Sequence, residues 1–315
     1  MRAIHIHKFG SPQVLSLEEV SVPTPDDNQV LVEVHAASVN PVDGKIRSGS
    51  FKRFRPHLPA TLGRDFSGVI VKLGAAVKGW KEGDEVFGMQ DYSRGTYAEN
   101  SLALPSEMAR KPAGIDHAHA ACLGVAGLTA WQALYRYGGL ESGQRVVILG
   151  AGGGVGQFAV QFAAIHGAEV IAVASQEDME VVKDLGAAMV INYKTEAFEK
   201  LVTEVDLVLD LVGKGTWDAS WKVLKTGGIL VSTLGLPVPP EEAPADVRGA
   251  EVIVECNVEE LTQIAALVSS GRVVVNVDTI VPLTEASLAH EHIENGHSRA
   301  KTVLIMRASA RTNPT

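Results

Sequence analysis

Residues 146–156 run from a short apolar strand straight into a glycine cluster: Val146-Val147-Ile148-Leu149, then Gly150-Ala151-Gly152-Gly153-Gly154-Val155-Gly156. An amphipathic helix opens at about Val155, with Val155, Phe158, Ala159, Phe162 and Ala163 recurring on one face. Gly167 can end it in a left-handed cap, and residues 169–174 read as a second strand. The glycines let the backbone turn tightly and approach a phosphate, while the helix N-terminus presents free N–H groups and the positive end of its dipole. The cluster departs from strict G-x-G-x-x-G spacing: counted from Gly150 the sixth position is Val155, and counted from Gly152 it is Gln157. A glycine cluster alone often marks a plain turn. Here strand, cluster, helix and second strand occur in order, and that context points to a dinucleotide. The expected phosphate contacts are Gly153, Gly154, Val155 and Gly156.

The end of the second strand reads the adenosine ribose in such a unit. An acid there accepts from the 2′-hydroxyl and repels a 2′-phosphate. This chain has Ser175, a neutral hydroxyl that admits the phosphate, so NADPH is expected over NADH. Glu177 and Asp178 follow closely and oppose a phosphate. The plainer role for Ser175 is a helix N-cap, and both roles are compatible.

The first ~110 residues carry β signals at 30–36, 67–73 and 84–88, punctuated by proline and glycine, which suggests a compact barrel-like β domain. Helical spacing takes over at 116–137. Strands then alternate with helices, at 146–149, 169–174, 189–193, 206–212 and 229–234. Such alternation implies a parallel, doubly wound sheet. β character returns at 273–283, followed by a helix at 284–294 and a strand at 301–306; residues 308–315 read as a frayed tail. The expected fold is α/β, with a Rossmann-type domain (114–271) inserted into a β-rich catalytic domain (1–113 and 272–315).

A net charge of −9 over 315 residues argues against a general binder of nucleic acid or anionic membranes. Two cysteines, Cys122 and Cys256, exclude a disulfide framework or a four-cysteine zinc lobe. No apolar run reaches membrane-spanning length, and the alternating start of the chain lacks the apolar core of a signal peptide. A cytoplasmic setting is the expectation. His117 and His119 stand two apart, as do His290 and His292. On a helix that spacing points to different faces, so capping or solvated histidines are expected rather than a chelate, and no metal site is assigned. The basic run 45–55 reads as a solvated loop, or as a positive rim attracting an anionic cofactor.

Several segments together resemble one family. Asn40-Pro41-Val42-Asp43-Gly44-Lys45 is similar to an N-P-x-D-x-K signature, and Gly63-Arg64-Asp65-Phe66-Ser67-Gly68 to G-x-D-x-x-G. Gly95-Thr96-Tyr97-Ala98-Glu99, Leu128-Thr129-Ala130-Trp131 and the A-x-x-G-V-G segment ending at Gly156 fit as well. Gly296-His297-Ser298-Arg299-Ala300-Lys301 resembles a C-terminal G-H-x-R-G-K, with Ala300 in place of a glycine. In order, these resemble the zinc-free quinone oxidoreductases and enone reductases of the medium-chain dehydrogenase/reductase superfamily, nearly end to end.

The resemblance implies a GroES-like catalytic domain and an NADPH-binding Rossmann domain. Ser175 and Tyr193 would flank the 2′-phosphate, although Met179 stands where the family often has lysine. Val212, Leu234 and Gly235 would contact the nicotinamide half, with Thr129 and Lys301 as further cofactor candidates. Asn40, Lys45 and Tyr92 are the candidates on the substrate side; an ammonium at Lys45 would stabilise developing enolate charge. The catalytic-zinc positions of alcohol dehydrogenases fall at Asn40, Arg64 and Val125, none a normal zinc ligand. The expected activity is hydride transfer from NADPH to quinones or α,β-unsaturated carbonyls, by a homodimer acting on a small molecule. The alternatives are an alcohol or ketone dehydrogenase, and a non-catalytic NADPH-binding sensor or scaffold.

Overall fold

The computed structural model describes residues 1–306 apart from Pro237 and His297. The expected tail at 308–315, and His297 of the C-terminal motif, lie outside the described residues. The chain divides into two compact units. The first takes Met1–Val125, Cys256–Ser270 and the residues from Val275 onward; the second takes Ala126–Glu255 and Gly271–Val274.

The first unit opens with strands β1 (Arg2–Ile6), β2 (Ser16–Glu19) and β3 (Val30–Val39). Helix α1 (Pro41–Ser48) follows, then β4 (Ala60–Thr61), β5 (Asp65–Leu73), β6 (Glu85–Met89), β7 (Asn100–Ala103), β8 (Met108–Arg110) and α2 (His117–Ala120). Proline at the first helical position and Gly49 in the left-handed region (φ 76°) bound α1.

The expected helical stretch 116–137 is α2, α3 (Leu128–Trp131) and two π-turns, Leu123–Gly127 and Gln132–Tyr137. The second unit continues with β9 (Arg145–Leu149), α4 (Gly154–Ile165), β10 (Glu169–Ala174), α5 (Met179–Asp184), β11 (Met189–Asn192) and β12 (Val205–Asp210). α6 (Trp217–Lys222), β13 (Leu224–Ser232) and β14 (Arg248–Glu251) complete it. Its six strands pair in parallel in the order β11-β10-β9-β12-β13-β14. This is the doubly wound order, with the reversal between β9 and β12. Val147, Ile171, Val208 and Leu230 from four neighbouring strands share one core with Trp221 of α6.

The chain returns to the first unit through α7 (Val258–Ser269), β15 (Val277–Pro282), α8 (Ala286–Glu294) and β16 (Lys301–Ile305). β16 pairs with β3, which continues through β5 and β6 to β8 in antiparallel fashion. Val32, Val34, Phe66, Ile70, Val86 and Leu304 fill the core of this sheet. The strand expected over 273–283 begins only at Val277.

The basic run expected as a solvated loop is in part helix α1, and Arg47 within it is buried. His290, expected as a capping or solvated histidine, is buried too, and Arg47 donates to its Nδ1 at 2.9 Å. Burial lowers the pKa of His290 to about 3, so it is neutral. Among the described residues no helix is long and apolar enough to cross a membrane.

Candidate functional site

The second unit gathers the cofactor candidates at one rim. The glycine loop leaves β9, Ser175 leaves β10 and Tyr193 leaves β11. Val212 follows β12, and Leu234 and Gly235 follow β13. All lie at the carboxyl ends of parallel strands, where open α/β sheets bind ligands. Thr129 lies elsewhere, buried on α3, and Lys301 belongs to the first unit, on β16.

The glycine loop fits a pyrophosphate. Gly150 has φ 78°, a left-handed turn that side chains resist. A Cβ on Gly156 would stand 2.2 Å from the Gly150 carbonyl oxygen, so α4 starts this close to the loop only because the side chain is missing. Gly153 caps α4 with no side-chain hydrogen bond. The N–H groups of Gly154, Val155 and Gly156, in the first turn, therefore have no intrahelical acceptor. Gln157 reaches back from the first turn, its Nε2 donating to the Gly152 carbonyl at 2.8 Å, and braces the loop.

After β10, Ser175 does not cap with its side chain. Its hydroxyl donates to Asp178 Oδ2 at 2.7 Å. Asp178 also closes on the glycine loop, because a Cβ on Gly152 would meet its carboxylate at 2.6 Å. Glu177 is held at a pKa of about 2, chiefly by its own backbone N–H, with Lys194 beside it. Two carboxylates and one ammonium thus stand around Ser175. After β12, buried Asp210 shapes the turn by accepting from the N–H groups of Val212 (2.8 Å) and Gly213 (2.9 Å) and from the Thr216 hydroxyl.

The first unit holds the substrate candidates. Asn40 precedes α1 and is buried. Its Oδ1 accepts from Lys301 Nζ at 2.6 Å, and its Nδ2 donates to Asp65 Oδ2 at 2.9 Å. The amide orientation follows, since an ammonium only donates and a carboxylate only accepts. Asp65 also accepts from the Ser38 hydroxyl and from the Val125 N–H. Buried Lys301 and Asp65 are thus joined by hydrogen bonds through one amide, and the network satisfies groups that burial would otherwise penalise. Asp43 accepts from the Asn40 N–H at 2.8 Å and the Tyr97 hydroxyl at 2.9 Å, while burial raises its pKa to about 6.

A pocket of about 340 Å³ opens beside this network, lined by Asn40, Pro41, Lys45, Ser48, His290 and Glu294 among others. Partial desolvation lowers the pKa of Lys45 from the ordinary lysine value. Tyr92 stands in a second, smaller recess with Asp43 and Arg64. The Arg64 guanidinium lies 3.9 Å over its ring, and Phe51 and Phe54 pack on it at 5.4 and 5.5 Å. The structure therefore brings Asn40 and Lys45 to one pocket and puts Tyr92 in another.

The three positions matching a catalytic-zinc set are used otherwise. The Asn40 amide joins Lys301 to Asp65, Arg64 Nε donates to the Gln90 carbonyl at 2.9 Å, and Val125 offers its N–H to Asp65. Asp65, Asp43 and Tyr97 stand inside the motifs with no local pattern that marks their role; the signal is their burial between polar partners, which only the fold creates.

Residues 26–130 match the family described as alcohol dehydrogenase GroES-like domain, and residues 185–304 match that described as zinc-binding dehydrogenase. The chain is 37% identical over 316 residues to the 2-methylene-furan-3-one reductase of Solanum lycopersicum, across 96% of this chain and 79% of that protein. It is 36% identical over 318 residues to the chloroplastic NADPH-dependent alkenal/one oxidoreductase of Arabidopsis thaliana, with the same coverage. Among solved structures, the quinone oxidoreductase from Coxiella burnetii superposes with a TM-score of 0.89 at 37% identity, covering 98% of this chain and 99% of that one.

Proposed function

Since the chain belongs to the quinone oxidoreductase and enone reductase branch of the medium-chain dehydrogenase/reductase superfamily, we propose that it is an NADPH-dependent reductase of quinones or α,β-unsaturated carbonyls that works without a catalytic zinc. The observation that carries this reading is the row of candidate residues along the carboxyl rim of the parallel sheet, with the uncapped start of α4 at its centre. When bound, NADPH supplies the hydride. The N–H groups of Gly154, Val155 and Gly156 hold the pyrophosphate. Ser175 and Tyr193 flank the adenosine ribose, and the backbone after β12 and β13, at Val212, Leu234 and Gly235, lines the nicotinamide half. Thr129 and Lys301 remain proposed cofactor contacts, Lys301 through its hold on Asn40.

In the first unit, the pocket beside Asn40 and Lys45 takes the acceptor. The Lys45 ammonium stabilises negative charge developing on the carbonyl oxygen, and solvent water gives the proton that completes reduction. Asn40 is oriented by Lys301 and Asp65 before the acceptor arrives, which reduces the reorganisation left for the reacting state. Tyr92 lines the neighbouring recess. Asn40, Arg64 and Val125 offer no thiolate or imidazole, so an alcohol lacks the Lewis acid that would lower its hydroxyl pKa. An electron-poor acceptor needs no such help. The same reading includes a cytoplasmic homodimer.

The test is NADPH oxidation against quinones, short and long enones, and simple ketones, with Lys45→Ala in parallel. Turnover with quinones or enones is expected, and Lys45→Ala should lower kcat/KM for enones about tenfold, a loss of about 1.4 kcal/mol, with NADPH affinity intact. NADPH binding without turnover on any acceptor would favour the sensor or scaffold, and preferred turnover of ketones the alcohol dehydrogenase.

A further inference from the structure

His5 and His7 stand two apart on and just beyond β1. On a strand that spacing puts both side chains on one face, the reverse of the outcome on a helix. β2 runs antiparallel beside β1, with Ser16 opposite His5 and Glu18 opposite Ala3. Glu18 is therefore the diagonal neighbour of His5, within reach of a long side chain. Its two carboxylate oxygens meet the two rings: Oε2 lies 3.2 Å from His5 Nδ1 and Oε1 lies 2.6 Å from His7 Nε2. One donor atom from each residue falls within 4.8 Å of the others, and among the described residues no other trio of histidine, cysteine or acid does so.

We propose that His5, His7 and Glu18 form a binding site for a divalent transition ion, Zn²⁺ by preference, clamping β1 to β2 and separate from the proposed reductase site. The donor set is two imidazoles and one carboxylate, the mixture that a borderline ion takes. Bonds of about 2.0–2.1 Å in a tetrahedron put ligands ~3.3 Å apart, so small side-chain rotations bring the trio to bonding distance. The fourth position is left to water. His7 is exposed and the other two are half-buried, so the ion has access from solvent. The site lies at the rim of the first unit, where β1 also pairs with β4, so an ion there ties the start of the chain to its sheet.

The experiment titrates the chelator-treated full chain with Zn²⁺ by calorimetry and with Co²⁺ by visible absorption. Wild type should bind one equivalent more Zn²⁺ than His7→Ala and show Co²⁺ bands that His7→Ala and Glu18→Gln lack, with affinity at least tenfold weaker in either variant. Zn²⁺ should also raise the Tm of wild type but not of His7→Ala. Since His7 is exposed, the variant should fold; His7→Gln provides a second test if it does not. The same stoichiometry and Co²⁺ spectrum in all variants, or no Zn²⁺ bound by wild type, would overturn the proposal.

Discussion

At the residue scale, the proposed seat of the adenosine ribose turns on Asp178. Its carboxylate accepts a hydrogen bond from the Ser175 hydroxyl and stands against Gly152, so a 2′-phosphate placed beside Ser175 meets negative charge. Asp178→Asn should raise the ratio of NADPH to NADH affinity about tenfold, roughly 1.4 kcal/mol, read by fluorescence titration of both nucleotides. An unchanged ratio would remove Asp178 from cofactor choice. Ser175 was legible in sequence from its place at the end of a strand. Asp178 was visible only as a nearby acid, because a short helical turn, and not spacing, folds it back onto the loop. The histidines teach the same lesson. A two-residue spacing carries no meaning until the backbone is known to be helix or strand, and His5 with His7 gained theirs from β1.

At the element scale, α1 and α8 are fastened by Arg47. The guanidinium donates to His290 Nδ1 (2.9 Å), Glu294 Oε1 (2.6 Å) and the Gly10 carbonyl (3.1 Å). Read along the chain, Arg47 looked like one charge in a solvated basic run. Two of its partners, His290 and Glu294, lie more than 240 positions away in α8, beyond the reach of any local pattern. Arg47→Ala leaves the buried His290 Nδ1 without its donor and opens a void where the buried guanidinium stood, so it should cost about 3 kcal/mol in denaturant unfolding. A loss below about 0.5 kcal/mol would show that α1 is held by other contacts. Because α1 carries Lys45 and α8 lines the same pocket, this fastening also sets the pocket wall. Boundaries of the parallel strands were read well where apolar runs were bounded by glycine, as at β9 and β10. Short edge elements such as β7, β8 and β14 were missed because each buries too little to leave a pattern.

At the scale of the whole molecule, the division of labour follows from topology. A doubly wound sheet presents backbone N–H groups and loops at one rim and so favours an anionic cofactor, while the first unit, with its mostly antiparallel sheet, buries a polar network beside a pocket. The parallel sheet that carries the proposed cofactor rim was legible because strand, glycine cluster and helix follow one another in a strict order. The acceptor half was not, because its pocket depends on partners such as Lys301, Asp65 and His290 that converge from distant segments. The central claim is hydride transfer from NADPH to an electron-poor acceptor without catalytic zinc. It is tested most directly by following NADPH oxidation with an enone and a quinone, using protein treated with a strong chelator and assayed with the chelator present. The account predicts undiminished turnover. Loss of turnover that added Zn²⁺ restores would contradict it.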